Sequence, residues 1–217
     1  IPNNIFYMKF KITLNINREH GNLLPFNYQY EQSAVIYRIL AQADTQYASW
    51  LHENGYQLNG SKRFKLFCYS PFIFERVRPL PKEGCLNITG ERATWYISFI
   101  PEKSTMEFIQ GIFAHQSFTI GNKEHHVAFD VVGVEAMPTP QLSEDMKLQA
   151  LSPICVKLHE GTRTQYLSPD NPMFAEGILK GLLARYESIH GQPLEMEDKE
   201  FLFELTDQRI KSKLITI

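Results

Sequence analysis

Cysteine is scarce in this chain. Cys68, Cys85 and Cys155 stand among 217 residues, with no pair at CxxC spacing. An odd, scattered set argues against a disulfide framework and for a reducing, cytoplasmic setting. Long apolar runs are missing too. No stretch approaches the roughly 20 residues of a membrane-spanning helix, and no basic-then-apolar leader pattern opens the sequence, so no membrane partner is expected. Charge of one sign is also missing: Lys+Arg 22 against Asp+Glu 24 leave a formal charge of −2, which argues against an overall basic field that gathers nucleic acid. GxSxG, Walker and GxGxxG motifs are absent. His115, His125 and His126 are too irregularly spaced for an HxxxH or Cys/His metal site. Neither a metal nor a cofactor is expected.

What is present is an ordinary folded composition, 43% hydrophobic and 21% charged, long enough for one large domain or two small ones. The charge is unevenly spread. Residues 61–82 hold six bases (Lys62, Arg63, Lys65, Arg76, Arg78, Lys82) against Glu75 alone, and residues 191–207 hold six acids against Lys199. Such a basic stretch can bind phosphate locally. A solvated edge strand with gatekeeper charges accounts for it equally well.

Met8–Asn17 alternates apolar and polar residues, as a strand does. Leu24-Pro25-Phe26-Asn27 reads as a turn before a helical pattern through Ala34, Val35, Ile36, Ile39 and Leu40. Asp44 then caps a second helix bearing Ala48, Trp50 and Leu51, and Asn54-Gly55 stops it just after His52. Lys65 opens the next strand-like run, Phe64 to Val77, which reads as a strand or a bent hairpin interrupted at Ser70-Pro71. Pro79–Gly84 is a turn and Thr94–Ile100 a strand. A helix follows from Pro101 with Met106, Phe108, Ile109, Ile112 and Phe113 as its buried face. Phe118–Ile120 and His126–Val134 are strands about an Asn122 turn. Strand, helix, strand, strand, helix, strand is the split βαβ plan of a ferredoxin-like domain. After the Met137-Pro138-Thr139-Pro140 linker the first part of that plan recurs: strand Pro153–Leu158, a short strand or turn near Tyr166, a helix from about Pro172 to Ile189, strand Phe201–Leu205 and a final run Leu214–Ile217. The expected class is α+β: two tandem ferredoxin-like domains, 1–136 and 137–217, the second stopping early.

Seven stretches carry a family resemblance: LPFNYQY (24–30), IYRIL (36–40), LHENGY (51–56), FKLFCYS (64–70), LSPICV (151–156), YLSPDNPMF (166–174) and LLARYESIHGQ (182–192). In this order they resemble the CRISPR repeat-processing endoribonuclease family, of RAMP type. The resemblance implies two RNA-recognition-motif-like domains and metal-independent cleavage of precursor CRISPR RNA, leaving a 2′,3′-cyclic phosphate and a 5′-hydroxyl. It implies a glycine-rich segment near the C-terminus as well. The run Lys213 to Ile217 contains none, so a shortened second domain is expected.

The resemblance assigns His52 as general acid or base, for which imidazole is suited by titrating near neutral pH. It assigns Tyr37 beside that histidine, and Lys65 to the charge building on the scissile phosphate. Each has a plainer reading: a helix-end histidine stabilised by the dipole, a core aromatic with a wet hydroxyl, an exposed strand lysine. Lys62, Arg63, Arg76 and Arg78 are the expected RNA-phosphate contacts. Phe67, Tyr69, Phe72 and Phe74 could stack unpaired bases or simply fill a core. Gly177 and Gly181 form a GxxxG that permits a close approach. Expected partners are precursor CRISPR RNA, other CRISPR effector subunits and a second copy of the chain. Two further readings compete with the nuclease: a non-catalytic repeat-binding protein and a ribonucleoprotein subunit.

Overall fold

Alternation makes Met8–Asn17 (β1) a strand. Phe10, Ile12, Leu14 and Ile16 are buried, while Lys9, Lys11, Thr13 and Asn15 take the other face. The computed structural model describes residues 8–58, 62–141, 143, 145–161, 163–195 and 203–205. Within it β1 pairs antiparallel with His126–Met137 (β11) on one side and Arg92–Phe99 (β9) on the other. Ser117–Gly121 (β10) adds beyond β11, and the short strands Phe67–Tyr69 (β5) and Ile73–Phe74 (β6) both pair with β9. The resulting order, β10-β11-β1-β9-β5, together with helices Gln29–Ala43 (α1) and Glu102–Ala114 (α3), realises the split βαβ plan.

Two compact units form, Ile1–Glu53 with Leu66–Leu148, and Asn54–Lys65 with Gln149–Ile217. In the first, Trp95, Phe99, Phe108 and Phe129 are fully buried. Helices α1 and α3 cross closely at Gly111, where any side chain would run into the Ile39 carbonyl. The apolar face of α3 departs from expectation. Phe108 and Ile112 are buried, but Met106 is 64% and Phe113 57% exposed, on the outer side of the helix. On α1, Val35, Ile36, Ile39 and Leu40 are buried as expected and Ala34 is exposed.

Two expected turns are partly strands. Leu24 lies buried in Leu23–Pro25 (β2), and Pro79 belongs to Val77–Leu80 (β7). Both strands pair with Cys85–Ile88 (β8) in a separate three-stranded sheet.

The second unit contains the hairpin Tyr56–Leu58 (β3) with Lys62–Phe64 (β4), the hairpin Val156–Glu160 (β12) with Arg163–Leu167 (β13), and helix Met173–His190 (α4). Its core is Val156, Leu167 and Phe174, with Leu158, Ile178 and Phe203 packed against them. Gly177 fits α4 against Val156, whose methyl group leaves no room for a side chain. Residues 203–205 form no strand, against the strand expected over Phe201–Leu205; residues 201–202 and the run 214–217 lie outside the described residues. Among the described residues, no helix is long and apolar enough to cross a membrane.

Candidate active site

Asp44 serves twice. It ends α1, its N–H donating to the Leu40 carbonyl, and its Oδ1 accepts from the Tyr47 N–H at 2.8 Å to start Thr45–Glu53 (α2). Lys103 of α3 reaches the other Asp44 oxygen at 3.1 Å and lies 4.8 Å from the Tyr47 ring centroid. The Tyr47 hydroxyl also bonds the buried Ser104 hydroxyl. The cap and the Lys103 bond hold the Asp44 carboxyl below the usual carboxylate range. These contacts fix α2 against α3 and so fix the direction in which its last turn points.

His52 sits in that last turn, its side chain exposed rather than turned into the core. Gly55 follows with φ +66°, a conformation that ends the helix and that other residues adopt at a cost. Tyr37, half-buried on α1, presents its ring edge-on to His52, with centroids 5.0 Å apart and planes at 85°. Phe67 on β5 packs edge-on against the same tyrosine at 5.8 Å and stacks on Tyr69 at 6.3 Å. Burial, and secondarily the nearby Tyr69, raise the Tyr37 pKa, so at neutral pH its hydroxyl keeps its proton and is available as a donor.

Tyr69 is the residue that sequence reading undervalued. Its hydroxyl donates to the Gln29 carbonyl at 3.1 Å and burial raises its pKa, so it ties β5 to the start of α1 behind Tyr37. Its two-residue spacing from Phe67, which sets both rings on one face of β5, was the available signal.

Lys65 does not open a strand; it lies just after β4, in the second unit. The backbone turns sharply there, with Leu66 at φ +54°. Across the hairpin, Gly55 lies against it. A side chain at Gly55 would come within 2.7 Å of the Phe64 carbonyl, 3.2 Å of Lys65 Cδ and 3.4 Å of Nζ. Burial first, and the charge of Arg63 second, lower the Lys65 pKa. Lys62 and Arg63 are exposed on β4, opposite Leu58 and Gln57. Arg76 and Arg78 belong to the first unit and are exposed at β7. Tyr37 and His52 are thus joined by direct packing, and Arg63 and Lys65 by a shared hairpin. Of the four aromatics weighed for stacking, Phe72 is buried among Tyr28, Trp95 and Phe129, and Phe74 packs on Phe72 and Phe129. Among the described residues, no three of His, Cys, Asp and Glu gather as a metal site requires.

A family model described as CRISPR-associated protein Cas6, N-terminal, matches residues 23–130, and one described as Cas6, C-terminal, matches residues 137–217. CRISPR-associated endoribonuclease Cas6 1 of Methanocaldococcus jannaschii is 28% identical over 207 residues, covering 94% of this chain and 76% of that protein. The solved structure titled CRISPR associated protein Cas6 superposes with a TM-score of 0.63 at 26% identity, covering 88% of this chain and 74% of that one. A second, titled An RAMP protein binding different RNA substrates, reaches a TM-score of 0.69 at 23% identity over 86% and 73% of the two chains. The shared fold is the α+β, double ferredoxin-like one.

Proposed function

The chain belongs to the CRISPR-associated Cas6 family, and from that premise we propose that it is an endoribonuclease cutting precursor CRISPR RNA within its repeats. The observation that carries this reading is the His52 ring, exposed on the last turn of α2 and backed by Tyr37 at 5.0 Å. The 2′-hydroxyl next to the scissile bond attacks phosphorus, and the 5′-oxygen leaves with a proton. His52 takes the first proton or supplies the second, Tyr37 orients the ring, and Lys65 balances charge on the phosphoryl oxygens. The products are a 2′,3′-cyclic phosphate and a 5′-hydroxyl, and no metal takes part. Lys62, Arg63, Arg76 and Arg78 contact RNA phosphates. On this reading the two ferredoxin-like domains divide at 136/137, and the enzyme works in the cytoplasm, with other effector subunits or a second copy as further partners.

Cleavage of the repeat RNA of the same locus, with and without chelator, tests it. His52→Ala is expected to slow cleavage by about 10²–10⁴-fold with binding nearly unchanged, because one imidazole adds little to an electrostatic footprint. Chelator should leave the rate unaltered and no 5′-phosphate should appear. Chelator-sensitive cutting or a fully active His52→Ala protein would overturn the mechanism. Tight binding without cutting by the unaltered protein would instead favour a repeat-binding role.

A further inference from the structure

The hairpin of β12 and β13 divides its side chains between two faces. Val156 and Leu167 are buried beside Phe174 of α4, with Leu158 packed on them, so the helix takes that face. The other carries Lys157 opposite Tyr166 and His159 opposite Thr164. All four are exposed, Tyr166 to 54%. Lys157 Nζ stands 5.3 Å from the Tyr166 ring centroid, and His159 Nδ1 lies 3.1 Å from the Thr164 hydroxyl.

We propose that this outer face is a nucleotide-stacking site, with an unpaired RNA base on the Tyr166 ring and Lys157 on a flanking phosphate. The chemistry of the face selects the occupant. It presents a ring, a cation and two hydrogen-bonding side chains, with no carboxylate and no aliphatic group among the four. A hydrophobic protein partner finds a single ring to bury there, whereas every base has a flat face to stack on it and every nucleotide an anion to pair with the lysine. The first unit repeats the arrangement independently: Lys9 Nζ stands 5.1 Å from the Tyr96 ring on the face of β1 and β9 opposite the buried Ile12 and Trp95. In each unit, then, a lysine of one strand lies over a tyrosine of its partner strand.

The proposal rests on the RNA-processing reading, and its test separates the two. The probe is the repeat RNA of the locus, its affinity measured for the full chain. Tyr166→Ala is expected to weaken binding roughly 5- to 150-fold, the range for one stacked base, while Tyr166→Phe keeps it. Lys157→Ala should flatten the dependence of log affinity on log salt by about 0.7. Tyr166→Trp adds a direct readout: its extra fluorescence should be quenched when RNA binds. Unchanged affinity in Tyr166→Ala, or no quenching, overturns the stacking site while leaving the RNA reading intact. Failure of the unaltered protein to bind the repeat overturns both.

Discussion

The two units of this chain are built on different scales. In the first, Phe72 meets Phe129 at 4.7 Å and Trp95 at 5.5 Å, and Trp95 meets Phe108 at 6.4 Å, so the rings interlock beneath the six-stranded sheet. In the second, the described core is Val156, Leu167 and Phe174 with three partly buried neighbours, under two-stranded hairpins. The larger unit carries the proposed catalytic pair, Tyr37 and His52. The smaller unit presents charge and aromatic surface from thin supports: Lys62, Arg63 and Lys65 on one hairpin, Lys157 and Tyr166 on another. A proton-transfer group needs placement to a fraction of an ångström, whereas a phosphate-binding cation acts over several ångströms and tolerates motion.

The largest effect that could break this comparison is on stability. Phe108→Ala should destabilise the first unit by about 3–5 kcal/mol, the usual cost of emptying a core aromatic site. Phe174→Ala removes the largest of the three residues in the described core cluster, so its damage should stay local. Amide exchange should accelerate over α4 and the β12–β13 hairpin while β1 and β9 keep their protection. Loss of protection across β1 in the Phe174→Ala protein would show that the units do not differ in this way.

Much of the first unit was legible because its signals are local. Period-two alternation marked β1, Asp44 marked the junction of α1 and α2, and the Asn122 side chain accepts from the Glu124 and His125 N–H groups in the turn it was expected to form. The β7–β8 hairpin was not legible. Pro79, Pro81 and Gly84 signal a turn, and Arg78 and Asn87 are weak strand formers, so these strands exist through pairing that no local pattern announces. Met106 and Phe113 misled for the opposite reason: they keep helical spacing with the core, but the stripe is wider than the surface available to cover it. At the candidate site, the helix stop placed His52 correctly. Its packing on Tyr37 depends on how α2 is pinned to α3 by Lys103 and Ser104, contacts more than fifty residues away in sequence. Lys65 was put at the head of a strand because FKLFCYS reads as one continuous β run. The left-handed Leu66 that breaks the run has no sequence signature, since leucine rarely adopts that conformation.

A smaller effect sharpens what the thin unit contributes. Gly55 leaves the space along which the Lys65 side chain lies, with a methyl group at 55 coming within 3.2 Å of Lys65 Cδ. Gly55→Ala should therefore slow cleavage on the order of 10- to 100-fold, as a misplaced catalytic group does. The control is a double-mutant cycle with Lys65→Ala. If Gly55 acts through the lysine, its substitution costs little once the lysine is gone; if it acts only on the backbone turn, the two losses add. Gly55→Asn, which tolerates positive φ but still carries a Cβ, separates crowding from backbone strain.

The smallest expected effect concerns Arg63 and is read through pH. The Lys65 pKa is lowered mainly by burial and further by the Arg63 charge on the same hairpin. Cleavage that depends on a charged Lys65 must then fall at high pH sooner than it would with an ordinary lysine. Arg63→Gln removes the repulsion, so Lys65 holds its proton to higher pH and the alkaline limb of the rate profile moves upward. Burial remains, so the limb should not reach the position of a fully solvated lysine. For stability the sign is the reverse of a salt-bridged lysine. The folded state releases this proton at lower pH than the unfolded chain, so a charged Lys65 is a cost below its folded pKa. That cost is relieved as pH rises through the folded value towards the unfolded one. Arg63→Gln narrows that window from below. Because Arg63 is also a proposed phosphate contact, the profile must be taken at saturating RNA, where weaker binding cannot imitate the shift. A limb that stays in place in Arg63→Gln, or that survives unchanged in Lys65→Arg, would mean that the group titrating there is not Lys65, and that the smaller unit supplies binding charge but no part of the chemistry.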